Sequence, residues 1–179
     1  EEVIAAPARV SGIRVDKGLA PTILSDLRGL TGRRGPVEDR AGQLPLVAHV
    51  LSVMWATRAG ATLTVSGYHA AGGVSSAIAE SAEAMWLALT PAHRVTAQRL
   101  LLSLIHISDG VTARRPRRFA DLVALGDDRA GTVAVIEALS ESRLVTVSDQ
   151  QVQIIHDVVL SAWPRLSELI ERTRDSAPV

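Results

Sequence analysis

The sequence contains no cysteine. A chain without thiols has no disulfide framework, no thiolate metal ligand and no cysteine nucleophile, and it suits a reducing compartment. It also has no apolar run near the roughly 18–20 residues that a membrane-spanning helix needs. The acidic residues Glu1 and Glu2 do not resemble the start of a signal peptide. These absences predict a cytoplasmic protein that makes no contact with membrane.

Lysine is almost absent as well. Lys17 is the single lysine, so nearly all of the 19 basic residues are arginine. Such a bias is typical of GC-rich genomes, and we expect an actinobacterial source. Acidic residues also number 19, so the formal net charge is zero and no global field favours nucleic acid or anionic membrane. The sequence has no initiator methionine, which predicts a piece of a longer polypeptide.

The remaining composition is that of a folded protein. The chain has 179 residues, of which 47% are hydrophobic, enough for one ordinary domain or two small ones. The spacing of the apolar residues predicts a mainly α fold, with a helical subdomain over residues 1–89 and a winged-helix domain with a small β-hairpin over residues 90–179. The division falls at Thr90, because a threonine followed by proline is a typical start of a helix.

The first part is predicted to be helical, with helices joined by turn-rich segments. Five apolar residues around Pro21 recur on one helical face: Leu19, Ile23, Leu24, Leu27 and Leu30. The predicted elements are a helix from Glu1 to about Ser11, a helix following Pro21, an exposed loop over Gly29–Gly42, a buried helix over Leu44–Arg58, an extended piece over Thr62–Val65, a turn-rich link over Gly67–Gly73 and a helix over Val74–Leu89.

The second part is predicted to have the element order of a winged helix. Two strand-like runs flank a short polar connection over Ser148–Gln151, which indicates a hairpin. The predicted elements are a helix from Pro91 to about Ser108, a basic loop or short strand over Arg114–Arg118, helices over Phe119–Leu125 and Thr132–Ser142, strands over Leu144–Val147 and Val152–Ile155, and a final helix from His156–Asp157 towards Arg174 that is interrupted at Pro164.

Catalytic signatures are missing. The sequence has no HExxH, no GxSxG and no GxxxxGK[ST] phosphate loop, and its histidines do not fall at metal-ligand spacings. We therefore expect no catalytic residue and no metal site in this chain. The histidines considered are His49, His69, His93, His106 and His156.

A run of arginines offers a candidate nucleic-acid contact. Four guanidinium groups can neutralise phosphates, and many winged helices bind DNA. The helix expected to enter the groove, however, displays Glu137 and Glu141, which phosphates repel. A solvated or protein-binding loop is therefore favoured, and a DNA-binding transcriptional regulator is the alternative. That alternative rests on Arg114, Arg115, Arg117 and Arg118.

Two further motifs each have an ordinary and a functional interpretation. Gly42–Leu46 is either a loop with a proline-assisted helix start or a rigid apolar corner for a flat ligand ring. Ile155-His156-Asp157 is either a capping pair with a partly buried histidine or a donor for a phosphate at the start of a helix. From the residues alone, the ordinary interpretation is favoured in both cases.

Taken in order, the motifs resemble a known family. Across nearly the whole chain the order is similar to that of the "novel STAND" NTPases of actinobacteria, relatives of the apoptotic and plant-immunity ATPases. Those proteins commonly have a P-loop domain upstream and repeats downstream. The motifs are Gly42-Gln43-Leu44-Pro45-Leu46, Gly67-Tyr68 with Gly72-Gly73-Val74, Thr90-Pro91, Ile155-His156-Asp157, and Ala162-Trp163-Pro164-Arg165-Leu166.

The resemblance implies a nucleotide-contacting role for five residues. Pro45 corresponds to a proline that lies against the adenine, and Gly42 and Leu44 flank it. His156 corresponds to the winged-helix histidine that reaches the β-phosphate of ADP and holds the closed, inactive state. Asp157 corresponds to the acidic residue that follows this histidine.

The resemblance also implies partners and limits. ATP or ADP with Mg would be held by an upstream P-loop domain of the parent protein, with a repeat domain downstream and a homo-oligomer as the assembled state. This chain alone is expected neither to hydrolyse ATP nor to bind it tightly. Besides DNA binding, a structural helical adaptor is the remaining alternative.

Overall fold

The structure is a computed structural model that describes residues 13–31, 39–57, 60, 62–108 and 111–175. Within that part, helices dominate and the sheets are small, so the predicted mainly α fold is confirmed. The chain separates into two compact units, Glu1–Ile78 and Ala79–Val179. The predicted division at Thr90 falls later in the chain and stays a prediction. The helix predicted up to Ser11 lies outside the described residues.

Nine helices and seven short strands make up the described residues. The helices are α1 (Leu19–Thr31), α2 (Asp39–Thr57), α3 (Val65–Ala70), α4 (Gly73–Ala88), α5 (Pro91–Ser103), α6 (Phe119–Val123), α7 (Arg129–Glu141), α8 (Val158–Ala162) and α9 (Pro164–Asp175). The strands are β1 (Arg14–Val15), β2 (Thr62–Leu63), β3 (Ile105–Ser108), β4 (Val111–Arg114), β5 (Arg117–Arg118), β6 (Val145–Ser148) and β7 (Gln151–Ile154).

Helix α1 is the clearest case of sequence periodicity in the first unit. Leu19, Ile23 and Leu27 of the predicted apolar face are each almost completely buried, whereas Leu24 is half-buried and the side chain of Leu30 lies outside the described residues. The extended piece predicted near Thr62 is confirmed as strand β2, which pairs in parallel with β1. Strand β1 itself is not predicted, because a two-residue strand has no periodicity.

Two predicted loops in the first unit are wrong in part. The segment Gly29–Gly42 was expected to be a loop, but α1 continues to Thr31 and α2 begins at Asp39. A glycine inside a helix costs only about 1 kcal/mol, which the burial of Val47, Val50 and Met54 later in α2 offsets. The segment Gly67–Gly73 was expected to be a turn, yet α3 covers its first half. The hydroxyl of Thr64 caps this helix by accepting a hydrogen bond from the Gly67 N–H at 3.0 Å.

Tyr68 on α3 forms a hydrogen bond with α1. Its side chain is fully buried, and its hydroxyl donates a hydrogen bond to Oδ2 of Asp26 on α1 at 2.7 Å. Burial raises the pKa of Tyr68, and the carboxylate of Asp26 raises it further. The phenol is therefore held in its neutral, donating form.

Replacing Tyr68 by phenylalanine is expected to lower the free energy of unfolding by about 1–2 kcal/mol, because the ring still fills its site but the bond to a carboxylate is lost. Urea unfolding followed by circular dichroism measures this change. Asp26→Asn, which keeps an acceptor but not the charge, should have a smaller effect. Unfolding curves of Tyr68→Phe and the wild type that coincide would contradict the assigned bond.

Helix α5 starts where the sequence predicts. The Thr90 side chain caps α5 by accepting from the His93 N–H at 3.2 Å, and Pro91 occupies the first turn. Helix α5 ends at Ser103, however, and not near Ser108 as predicted. The residues Ile105–Ser108 form β3 instead, paired antiparallel with β4. Two β-branched isoleucines in this segment favour the strand.

The predicted hairpin is confirmed. Strands β6 and β7 are antiparallel, and β5 adds to the other edge of β7 to give a three-stranded sheet. The two turn residues, Asp149 and Gln150, both have positive φ, 48° and 64°. Such turns match the twist of the strands that they join. With α5, α6 and α7 before the hairpin, the second unit has an arrangement like that of a winged helix.

Helix α7 is closed by a turn that directs the chain into β6. Arg143 lies just beyond the helix with φ of 56°, a conformation that glycine usually supplies there. The Leu144 N–H donates to the Leu139 carbonyl at 3.0 Å, and the Arg143 N–H donates to the Ser140 carbonyl at 3.0 Å. This pair of bonds satisfies the last carbonyls of α7 and sets the start of the hairpin.

Candidate functional site

The segment Ile155-His156-Asp157 lies in the second unit between the last strand and α8. On its N-terminal side, Ile154 pairs with Val145, and the Ile155 N–H donates to the Leu144 carbonyl at 3.0 Å. On its C-terminal side the chain enters α8 at Val158. The three residues are therefore anchored by a sheet on one side and by a helix on the other.

His156 is completely buried, with a relative exposure of 0%. Its Nδ1 accepts a hydrogen bond from the Val158 N–H at 3.2 Å. An accepting Nδ1 carries no proton, so in the neutral imidazole the proton resides on Nε2. The side chain thus presents a hydrogen-bond donor at Nε2. The sequence predicts a partly buried histidine, and the structure differs because the ring is buried entirely.

Asp157 does not cap the following helix. Its side chain makes no capping bond to α8. Oδ1 of Asp157 instead accepts from Nε of Arg114, which lies on β4, at 2.7 Å. The capping interpretation of the sequence is therefore wrong for Asp157, whose carboxylate is directed to a guanidinium that comes from another hairpin. It holds for His156, whose Nδ1 accepts from the N–H of Val158, the first residue of α8.

The same arginine also binds the backbone on the other side of His156. Nη1 of Arg114 donates to the carbonyls of Ile154 and Ile155, at 3.3 and 3.2 Å. Only 22% of the Arg114 side chain is exposed, against 52% of the Asp157 side chain. One guanidinium thus spans the histidine from the end of β7 to the start of α8.

The arginine run divides into residues with different surroundings. Arg115 donates twice from its guanidinium to the Ser103 carbonyl, at 3.2 and 3.0 Å. Two of the four guanidinium groups predicted for the DNA alternative, those of Arg114 and Arg115, therefore bind the chain itself. Arg117 and Arg118 form β5 and pair with β7. The predicted acidic residues of α7, Glu137 and Glu141, are exposed.

The other predicted site residues lie in the first unit. Gly42, Leu44 and Pro45 fall inside α2, several residues after its start at Asp39, so the predicted proline-assisted helix start is wrong. A proline there offers no N–H to the carbonyl four residues earlier. Side chains over 30–46 lie outside the described residues. The structure thus brings together Arg114, His156 and Asp157, and it places the three residues around Pro45 on one helix.

A second polar cluster, which the sequence does not reveal, surrounds Glu83 on α4. Its carboxylate accepts from Nε1 of Trp163 at 3.2 Å and from Nε of Arg165 at 3.1 Å. Trp163 meets Trp86 edge to face, with ring centroids 6.1 Å apart, and the Arg165 guanidinium lies 5.0 Å from the Trp86 ring. The motif Trp163-Pro164-Arg165 is visible in the sequence, but its partner Glu83 has no local signal.

Arg165 holds the pKa of Glu83 below its ordinary value of 4.5. The folded state therefore binds fewer protons than the unfolded state in this range. The stability from this pair is present above pH 4.5 and is lost as the pH falls through the lowered folded-state pKa.

Replacing Glu83 by glutamine is expected to flatten the loss of stability on acidification. At neutral pH the loss should be at most about 1 kcal/mol, because the carboxylate is partly exposed and water screens the pair. Urea unfolding at pH values above and below 4.5 measures both effects. Glu80→Gln, on the same helix, is the matched control. Equal acid dependence in the two variants would contradict the role given to Glu83.

The described residues offer neither a metal-binding cluster nor a membrane-spanning helix. No group of three or more histidine, aspartate or glutamate side chains there is arranged to hold a metal ion. Within the same residues, no helix combines the length and apolar character that crossing a membrane requires.

Comparison with known protein families gives a match over the whole sequence. The family model described as Novel STAND NTPase 1 matches residues 1–179, the full length of the sequence. No curated protein and no solved structure matches the chain. The family match agrees with the resemblance carried by the ordered motifs.

Proposed function

The chain belongs to the Novel STAND NTPase 1 family, and we propose that it is the regulatory part of a nucleotide-dependent switch protein. In this proposal a P-loop domain upstream holds ATP or ADP with Mg, and this chain supplies residues that detect which nucleotide is bound. It performs no hydrolysis by itself. The switch acts in the cytoplasm and controls assembly or signalling.

The observation that carries the proposal is the hydrogen bond from the Val158 N–H to Nδ1 of His156. It directs the proton of the neutral imidazole to Nε2, which is the form that a phosphate oxygen requires of its partner. Bound ADP supplies the negative charge, and His156 supplies the donor. The residues present therefore suit the group that the family implies.

Because the imidazole of His156 is buried, its contact with a phosphate depends on a conformational change. Because the His156 ring is covered in the structure, a phosphate reaches it only after a rearrangement around the ring. A ligand shifts such an equilibrium by the difference in its affinity for the two arrangements. We therefore place His156 in a two-state element that ADP biases and ATP releases. Pro45 of α2 is proposed to lie against the adenine.

Hydrogen exchange tests this function in the longer polypeptide that contains the P-loop domain. ADP is expected to slow exchange of the Val158 amide, because the nucleotide favours the arrangement in which the His156 ring is held from both sides. The amides of β3 serve as the internal control and should exchange at unchanged rates. Exchange of Val158 that is the same with saturating ADP and without nucleotide would refute the proposal.

A further inference from the structure

We propose that Arg114 is the positioning residue of the His156 segment, and that it sets the affinity for ADP without touching the nucleotide. This inference rests on the proposed function for its second half only. Its first half, that Arg114 fixes the conformation of the segment, concerns this chain alone and is measured without any nucleotide.

The contacts of Arg114 lie on both sides of His156 in the chain. Nε binds the Asp157 carboxylate at 2.7 Å, immediately after His156. Nη1 binds the carbonyls of Ile154 and Ile155 at 3.3 and 3.2 Å, immediately before it. A guanidinium is planar and rigid, so its contacts hold the two carbonyls before His156 and the Asp157 side chain after it in a fixed relation. A histidine whose neighbours are held on both sides can change its orientation little.

The position of Arg114 in the sequence supports a specific role for this side chain. Arg114 closes β4, in which it pairs with Ile105 of β3, so it belongs to a hairpin that does not contain the histidine. The separation from Asp157 is 43 residues along the chain. The pairing of β5 with β7 already brings this part of the chain close to the end of β7, and Arg114 adds the bonds to the residues next to His156. We expect loss of the Arg114 side chain to free the segment around His156 while the sheet pairing remains.

Arg115 provides a matched control. It is the next residue in the chain, carries the same charge and also donates from its guanidinium to backbone, but its acceptor is the Ser103 carbonyl. Arg115→Ala removes the same charge and a similar set of bonds without touching the segment around His156. A comparison of Arg114→Ala with Arg115→Ala thus separates positioning from a general loss of stability.

The first experiment measures amide hydrogen exchange of the chain without nucleotide. Arg114→Ala is expected to speed exchange of the Val158 amide about tenfold or more, because bonds to a charged group are lost on both sides of His156. Exchange of the α7 amides and exchange in Arg115→Ala should remain near wild type. Equal acceleration in both variants, or none in Arg114→Ala, would overturn the inference.

Two further substitutions sharpen this result. Arg114→Lys keeps the charge but not the rigid fork, so it should restore only part of the protection. Asp157→Asn should speed exchange less than Arg114→Ala, and adding it to Arg114→Ala should have no further effect, since both act through one contact. Additive effects of the two substitutions would show that Asp157 does not act through Arg114, and would overturn the inference.

The second experiment measures ADP affinity in the longer polypeptide. Arg114→Ala should weaken ADP several-fold, less than removal of the His156 side chain. If His156→Ala weakens ADP and Arg114→Ala does not, the positioning role is wrong and the proposed function stands. If neither variant changes the affinity while the exchange result holds, the proposed function fails and Arg114 is shown to fix a segment that does not detect nucleotide.

Discussion

Replacing His156 by alanine, in the longer polypeptide with a P-loop domain, is expected to weaken ADP binding about tenfold to a hundredfold. The reason is the loss of one hydrogen bond from Nε2 to a charged phosphate oxygen, which is worth about 1.5–3 kcal/mol. ATP affinity should change less, because in this account ATP releases the segment. Titration of each nucleotide by calorimetry measures the two affinities.

The controls for this prediction address the burial of the ring. Removing a buried side chain also lowers stability, so His156→Gln, which keeps an N–H donor, should lose less ADP affinity than His156→Ala. His49→Ala removes another buried histidine, whose ring nitrogen bonds the Ala77 carbonyl at 3.3 Å. His49→Ala should leave the ratio of ADP affinity to ATP affinity unchanged. If this ratio falls equally in His49→Ala and His156→Ala, the loss of ADP affinity is due to general destabilisation and the prediction is wrong.

Replacing Trp163 by alanine is expected to lower the free energy of unfolding of the second unit by about 3–5 kcal/mol, the usual range for a buried tryptophan. Only 1% of Trp163 is exposed, and its ring meets Trp86 edge to face. The substitution leaves a cavity and also removes the Nε1–H donor to Glu83. Urea unfolding followed by circular dichroism measures the loss.

Trp163→Phe separates the two contributions. Phenylalanine retains most of the ring but has no N–H for Glu83, so the expected loss is smaller, about 1–2 kcal/mol. Adding Glu83→Gln to Trp163→Phe should then cost only what the remaining Arg165 pair contributes, at most about 1 kcal/mol, since the bond to the indole is already broken. A loss below about 1 kcal/mol in Trp163→Ala would contradict the central position of this side chain in the core of the second unit.

Periodicity in the sequence predicts the elements that are long or regular. The face made by Leu19, Ile23 and Leu27 identifies α1, and the two β-branched runs with a polar connection identify the hairpin of β6 and β7. Thr90-Pro91 gives the start of α5 from capping chemistry alone. In each case the deciding information lies within a few residues of the element.

The sequence-based predictions are wrong where contacts between residues far apart in the chain determine the secondary structure. The end of α5 is set by the pairing of Ile105–Ser108 with β4, which an apolar helical pattern does not reveal. The continuation of α2 back to Asp39 overrides the glycine and proline near its start. Parallel pairing of β1 with β2 joins segments far apart in the chain, and neither strand is long enough to show a pattern.

The candidate site was only partly predictable for the same reason. His156 and Asp157 are visible in the sequence as a motif after a strand-like run. The partner of Asp157 is not visible, since Arg114 stands in a basic run that suggests phosphate binding. It reaches the motif through two non-local pairings, that of β3 with β4 and that of β5 with β7. The protonated nitrogen of His156 likewise depends on a bond to Val158 that no pattern specifies.

The most direct test of the account is a nitrogen NMR spectrum of histidine-labelled longer polypeptide, with and without ADP. In the unliganded protein the His156 signals should show a neutral ring protonated at Nε2. Saturating ADP should shift the Nε2 signal of His156, while the signals of His69 and His106 stay in place. A His156 signal that is indifferent to ADP would contradict the claim that this segment detects the nucleotide.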